Sequence, residues 1–139
     1  MSVTLIIKAI IAAGWIWLWN FILPIGHYMA MTIVLILVDF GTGIAAARHR
    51  GEALRSRGFA RSILKIGLYC GTIIISHGMD TVFFAPKGLG FGLVWIVAGL
   101  IGLSEFKSNL ENVSTVTGLN IWAEIADRIP GLPKLPKKD

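Results

Sequence analysis

Cysteine is almost missing from this chain. Cys70 stands alone among 139 residues, so no internal disulfide can form. It sits between Tyr69 and Gly71 in the middle of an apolar segment, which reads as a small buried residue. Histidine is scarce as well: His27, His49 and His77 are far apart and lack metal-ligand spacing, so no metal site is expected. Charge is the third shortage, with 15% of residues charged against about 25% in an ordinary soluble domain. There is no nucleophile elbow, phosphate loop or paired His or Cys motif, so neither catalysis nor a cofactor is expected.

What is plentiful is apolar surface. Hydrophobic residues make up 55% of the chain, and the mean hydropathy is +0.72. The charged residues cluster and leave long greasy stretches between them, which points to one compact membrane domain. A spanning helix needs about 20 mostly apolar residues. Four stretches qualify: Val3 to Leu23, stopped by Pro24; Tyr28 to Ala47; Phe59 to Phe84; and Gly88 to Phe106. The expected fold is therefore all-α, an integral membrane helical bundle of about four transmembrane helices plus a C-terminal amphipathic helix. The third stretch exceeds the minimum length and is expected to tilt or to extend its basic first turn into the headgroups.

In the first stretch Lys8 can snorkel to the near interface, while Trp15, Trp17 and Trp19 suit the far one. A cleavable signal peptide is the rival reading. Bulky Trp and Phe fill the place where small cleavage-site residues would stand, so the stretch is expected to be retained.

The formal net charge of +5 is unevenly placed. Arg48, Arg50, Arg55, Arg57 and Arg61 fall in one short connection and the helix start after it, followed by Lys65. Lys134, Lys137 and Lys138 lie near the C-terminus. Basic clusters beside apolar spans read as topology determinants, then as anchors for anionic lipid headgroups, and nucleic acid is not an expected partner. By the positive-inside rule the arginine-rich loop is cytoplasmic; with four spans both termini are then cytoplasmic, and Pro24–His27 and Ala85–Lys87 are short external turns. That placement also discounts the glycosylation sequon at Asn112.

After the fourth stretch, Ile121, Trp122, Ile125, Ala126 and Ile129 recur at helical spacing, and Pro130, Pro133 and Pro136 follow. Residues 1–112 are thus expected as a transmembrane helical domain. Residues 113–139 are expected as a cytoplasmic amphipathic helix with a proline- and lysine-rich tail.

Besides Lys8 and Arg61 near the segment ends, four charges stand inside these greasy segments: Asp39, Lys65, Asp80 and Glu105. A charge at bilayer depth costs about 2.5–3.5 kcal/mol or more, so such residues face a partner or water. Counted from the cytoplasmic ends of their segments, Asp39 lies roughly 12 Å deep and Lys65 roughly 9 Å, at 1.5 Å per residue. Glu105 ends its segment near the same leaflet. Asp39, Lys65 and Glu105 are expected to form an ion-pair cluster locking spans two, three and four, with Asp80 and Lys87 as a lesser outer pair. The alternative is that Lys65 and Arg61 snorkel to lipid phosphates while Asp39 is protonated. Small residues four apart, Gly43 with Ala47, Gly67 with Gly71 and Gly88 with Gly92, together with Gly99 and Gly102, favour close helix packing in a tight bundle or oligomer.

Two motifs carry a resemblance. Asp39-Phe40-Gly41-Thr42-Gly43, followed by Ala45 to Ala47, Ser56, Gly58 and Lys65, is similar to the toxin-secretion/phage-lysis holin family. So is Glu105-Phe106-Lys107-Ser108-Asn109-Leu110-Glu111-Asn112, with Asn109 in place of the usual apolar residue and Gly41 smaller than usual. The resemblance spans roughly residues 35 to 118. It implies a phage-encoded protein of the bacterial inner membrane that assembles with its own copies and opens a lesion. An endolysin, or in some relatives a toxin, then reaches the wall, and an antiholin is a further partner the family suggests. Asp39, Lys65, Asp80 and Glu105 become candidate lumen or interface residues. An antiholin or small scaffold that opens no hole, and a narrow ion or proton pathway, remain alternatives.

Overall fold

A computed structural model of the chain describes residues 2–53, 56–90 and 92–128. These residues are helical almost throughout. Helix α1 covers Val3–Ile22 and α2 Gly26–His49, with a 3-10 turn, Leu23–Ile25, between them. Helix α3 covers Ser56–Met79 and runs on through a π-helical turn, Asp80–Phe84, and a 3-10 turn, Ala85–Lys87. Helix α4 covers Leu93–Thr117, past the boundary expected at residue 112, and α5 covers Ile121–Arg128. The tail from residue 129, with Ile129 and its prolines and lysines, lies outside the described residues. So do Arg55 and the side chains of Arg57, Trp122 and Ala126.

Among the described residues three helical stretches are long and apolar enough to cross a membrane: Val3–His49, Gly58–Lys87 and Leu93–Thr117. The expectation of four spans is corrected at Pro24, which does not end its helix in an external turn. Proline removes the N–H that would reach the carbonyl of Asn20, but its fixed φ suits helical backbone. The Leu23 N–H still bonds the Trp19 carbonyl, the Gly26 N–H bonds that of Leu23, and α2 starts at once. Expected spans one and two are thus one helical stretch of 47 residues, with a tight 3-10 turn inside it.

Helices α2, α3 and α4 pack against one another, α2 most extensively against α4. At one end of this bundle Ile25, Ile73 and Ala98 form an apolar core, with Ile22, Tyr28, Met29, Ile74, Val94 and Ile101 around it. The buried set also contains Thr32, Ser76, Glu105 and Asn109, whereas Leu37, Leu64, Leu68, Leu100 and Leu103 face outward. In water that distribution is the wrong way round. In lipid it follows directly, because hydrocarbon solvates leucine and polar groups must satisfy one another inside. Among the described residues no buried side-chain nitrogen or oxygen lacks a hydrogen-bond partner.

The connection between α3 and α4 is built by glycines. Gly88 (φ 68°) stops the 3-10 turn, and Gly92 (φ 58°) precedes α4, both in the left-handed region that favours glycine. A Cβ on Gly92 would also run into the Trp95 ring. The pair expected as a helix-packing face therefore belongs to a turn.

Candidate functional site

The polar end of the bundle is where the intramembrane charges meet. Asp39 lies on the half of α2 nearer the arginine-rich connection, Lys65 in the third turn of α3, and Glu105 midway along α4. Lys65 Nζ donates to Glu105 Oε2 at 2.9 Å and to Asp39 Oδ2 at 3.2 Å. One ammonium thus ties all three helices, as the depth of the three residues predicts. Side-chain exposure falls from 27% at Lys65 and 14% at Asp39 to 2% at Glu105, so Glu105 is sealed and the other two edge onto open space.

A seam of amides and a hydroxyl extends the cluster along α2 and α4. Asn112 Nδ2 donates to Asp39 Oδ1 at 3.0 Å, so that carboxylate is held from two sides. Asn109 Nδ2 donates to the carbonyls of Leu35 (3.2 Å) and Glu105 (2.9 Å), and its Oδ1 accepts from Thr42 Oγ1 at 3.2 Å. Glu105, Asn109 and Asn112 follow one another at i, i+4 and i+7, the spacing of a single helix face. Asp39 and Thr42 are likewise three apart. Charge alone does not single out Asn109, Asn112 and Thr42 as site residues, but that spacing does once Glu105 is taken as the anchor.

Asp80 does something other than expected. Among the described residues no ion pair joins it to Lys87. Its carboxylate instead accepts from the backbone N–H groups of Leu93 (2.9 Å) and Val94 (2.8 Å). The first N–H groups of a helix have no partner within it, and a carboxylate there also meets the positive end of the dipole. Asp80 therefore caps α4 from across the connection and fixes the α3–α4 hairpin, far from the Lys65 cluster.

The remaining candidates divide. Gly43 lies at a helix contact, where a Cβ would come 3.6 Å from Asn112 Nδ2. Ala47 is half-buried beside the fully buried Ala46. Gly67 and Gly71 have no heavy atom within 4 Å of a Cβ position, so neither makes a close approach inside this chain. Arg48 and Arg50 are exposed at the end of α2, with Arg50 paired to Glu52 at 2.7 Å, and Arg61 is exposed on the second turn of α3.

The arrangement is a polar core inside an apolar shell, and among the described residues nothing in it resembles a reaction centre. No curated protein and no solved structure matches the chain. A model of the bacteriophage holin family does, over residues 17–132. That match covers most of the chain, from late α1 to beyond α5, and includes every residue of the polar cluster. The chain belongs to the bacteriophage holin family, multi-pass, non-enzymatic membrane proteins that act in host lysis.

Proposed function

We propose that the protein accumulates in the inner membrane of a bacterial host, assembles with its own copies and opens a lesion through which an endolysin reaches the wall. The observation that carries this reading is the Lys65 bridge between Asp39 and Glu105. A chain that only had to sit in lipid gains nothing from two carboxylates and an ammonium at that depth, each costing about 2.5–3.5 kcal/mol or more when unpaired. A chain that exists in two arrangements does. In the compact arrangement the cluster is satisfied internally; in an assembled ring the same groups face a water-filled lumen. The second arrangement needs neighbours, so its onset depends on concentration. The open face of α3 that carries Gly67 and Gly71 suits contact between copies.

In this reading residues 48–61 lie on the cytoplasmic side, α2 and α4 run toward the cytoplasm and α3 away from it. Residues 1–112 are the membrane domain. The last turns of α4, with α5 and the basic tail, make the cytoplasmic part. Impermeant labelling of single cysteines checks this: a cysteine at Ala53 should react only from inside, and one at Lys87 only from outside.

Induced expression in bacteria tests the function. The reading requires sudden loss of membrane potential at a defined time, followed by release of a co-expressed folded endolysin. Continued growth would identify an antiholin or scaffold. Depolarisation with the endolysin retained would identify a narrow ion or proton pathway.

A further inference from the structure

A groove of about 1120 Å³ opens between α2, α3, the connection after α2 and the Ser108 and Asn112 positions of α4, and it shares Asp39 and Lys65 with the polar cluster. Its lining mixes characters seldom found together at membrane depth. Phe40, Ile44 and Phe59 give an apolar wall, in which the ring centroids of Phe40 and Phe59 are 5.9 Å apart. Arg61 lines the groove one helical turn nearer the connection than Lys65, and among the described residues it makes no ion pair. Two carboxylates, Asp39 and Glu52, line it too.

We propose that this groove seats one phospholipid with a zwitterionic aminoethyl headgroup, its phosphodiester on the Arg61 guanidinium and its primary ammonium toward the carboxylates of Asp39 and Glu52. Each part of the lipid answers an observed feature. A guanidinium offers a planar fork of donors matched to phosphate oxygens. A carboxylate has about four lone-pair sites, and that of Asp39 uses two of them for Lys65 and Asn112, so it can take an ammonium while keeping both partners, with the negative charge of Glu52 on the same wall. The apolar wall is continuous with the lipid-facing side and meets the start of the acyl chains. An anionic headgroup fits less well, since the charged side chains that line the groove, Asp39 and Glu52 against Arg61 and Lys65, already balance and match a headgroup of no net charge. A choline headgroup has the same net charge as an aminoethyl one but no N–H to donate. The inference depends on the membrane placement of α2 and α3 and concerns the compact arrangement, in which Asp39 is satisfied within the chain; its test reads lipid retention and not lysis.

The full-length protein, reconstituted in bilayer discs of matched composition and then released into mild detergent, would be analysed by native mass spectrometry. Phosphatidylethanolamine, phosphatidylcholine and phosphatidylglycerol serve as competing probes. One retained phosphatidylethanolamine per chain is expected, and R61Q should lower its retention about fivefold, the effect of one basic contact near the surface. R48Q removes an exposed charge outside the groove and should leave retention unchanged. Circular dichroism would establish that both variants fold. Equal retention of phosphatidylcholine would overturn the ammonium contact, and preference for phosphatidylglycerol would overturn the charge argument. An equal loss in R48Q, or none in R61Q, would overturn the site itself.

Discussion

Replacing Lys65 by Met tests the cluster most directly. Methionine keeps most of the apolar stem and removes the ammonium, so the contacts at 2.9 Å to Glu105 and 3.2 Å to Asp39 are lost together. Two carboxylates then stand close with no cation between them, one of them 2% exposed. Removing one partner of a buried pair costs about 3–5 kcal/mol. The lower end applies, because Asp39 is 14% exposed and keeps Asn112. We therefore predict about 3 kcal/mol for K65M. E105Q should behave quite differently. The glutamine oxygen still accepts from Lys65, Asp39 still supplies the countercharge, and the cluster passes from two negative groups and one positive to one of each. About 1 kcal/mol is expected, the net value of weakening one hydrogen bond.

The asymmetry follows from one cation serving two anions, and it can be measured. Helical signal in mixed micelles, followed against rising sodium dodecyl sulfate, orders the variants. The neutral triple variant D39N/K65M/E105Q should regain most of what K65M loses, because no unpaired charge remains. If K65M proves no worse than E105Q, or the triple variant no better than K65M, the three side chains are not acting on one another and the reasoning fails.

Two further outcomes follow from the same contacts. D80A should weaken the start of α4 by about 0.5–2 kcal/mol, the usual worth of an N-cap, and D80N by less, since one oxygen survives. Hydrogen exchange at the amides of Leu93 and Val94 reads this, and unchanged protection in D80A would sink the capping role. N109L should cost only about 1 kcal/mol, because Thr42 also donates to the Val38 carbonyl and loses one acceptor of several. N109D instead adds a third carboxylate to the cluster, beside Glu105, at about 2.5–3.5 kcal/mol for an uncompensated acid in lipid. Equal stability of the two variants in the same detergent titration would refute the distinction.

The Lys65 cluster is legible in the sequence because depth along a helix is simple arithmetic: 1.5 Å per residue puts Asp39, Lys65 and Glu105 at one level wherever the helices pack. The role of Asp80 is not, because its partners are backbone N–H groups, and every helix has those whatever its sequence. Gly88 and Gly92 mislead for a related reason. A four-residue spacing of small residues has the same form in a turn as on a helix face, and only the sign of φ separates the two. Pro24 misleads because proline interrupts hydrogen bonding without forbidding helical dihedrals, so a break in pattern need not be a reversal of direction. Asn109 and Asn112 stand in the sequence as letters of a family motif. Their spacing from Glu105 carries the physical information.

Helix α1 poses the sharpest remaining demand. None of its residues is buried, and eleven large apolar side chains, Trp15, Trp17 and Trp19 among them, are exposed on it. Burying each is worth about 1.5–3 kcal/mol, so holding α1 in water would cost about 16 kcal/mol or more. Yet the stretch that joins it to α2 has 47 residues. At 1.5 Å per residue a straight helix of that length measures roughly 70 Å, more than twice the roughly 30 Å of hydrocarbon available. The energy term outweighs the geometric one, because the turn at Leu23–Ile25 and Pro24 is a weak point where the axis can bend, whereas nothing replaces lost solvation by lipid. We therefore predict that α1 is immersed in lipid along its length in the native membrane. The variant W95F/W122F retains tryptophan only in α1. In vesicles its emission should be blue-shifted and strongly quenched by lipids brominated on their chains, with little quenching by aqueous iodide. Red-shifted emission with efficient iodide quenching would place α1 in water, and burial energy would then not be what decides where this helix lies.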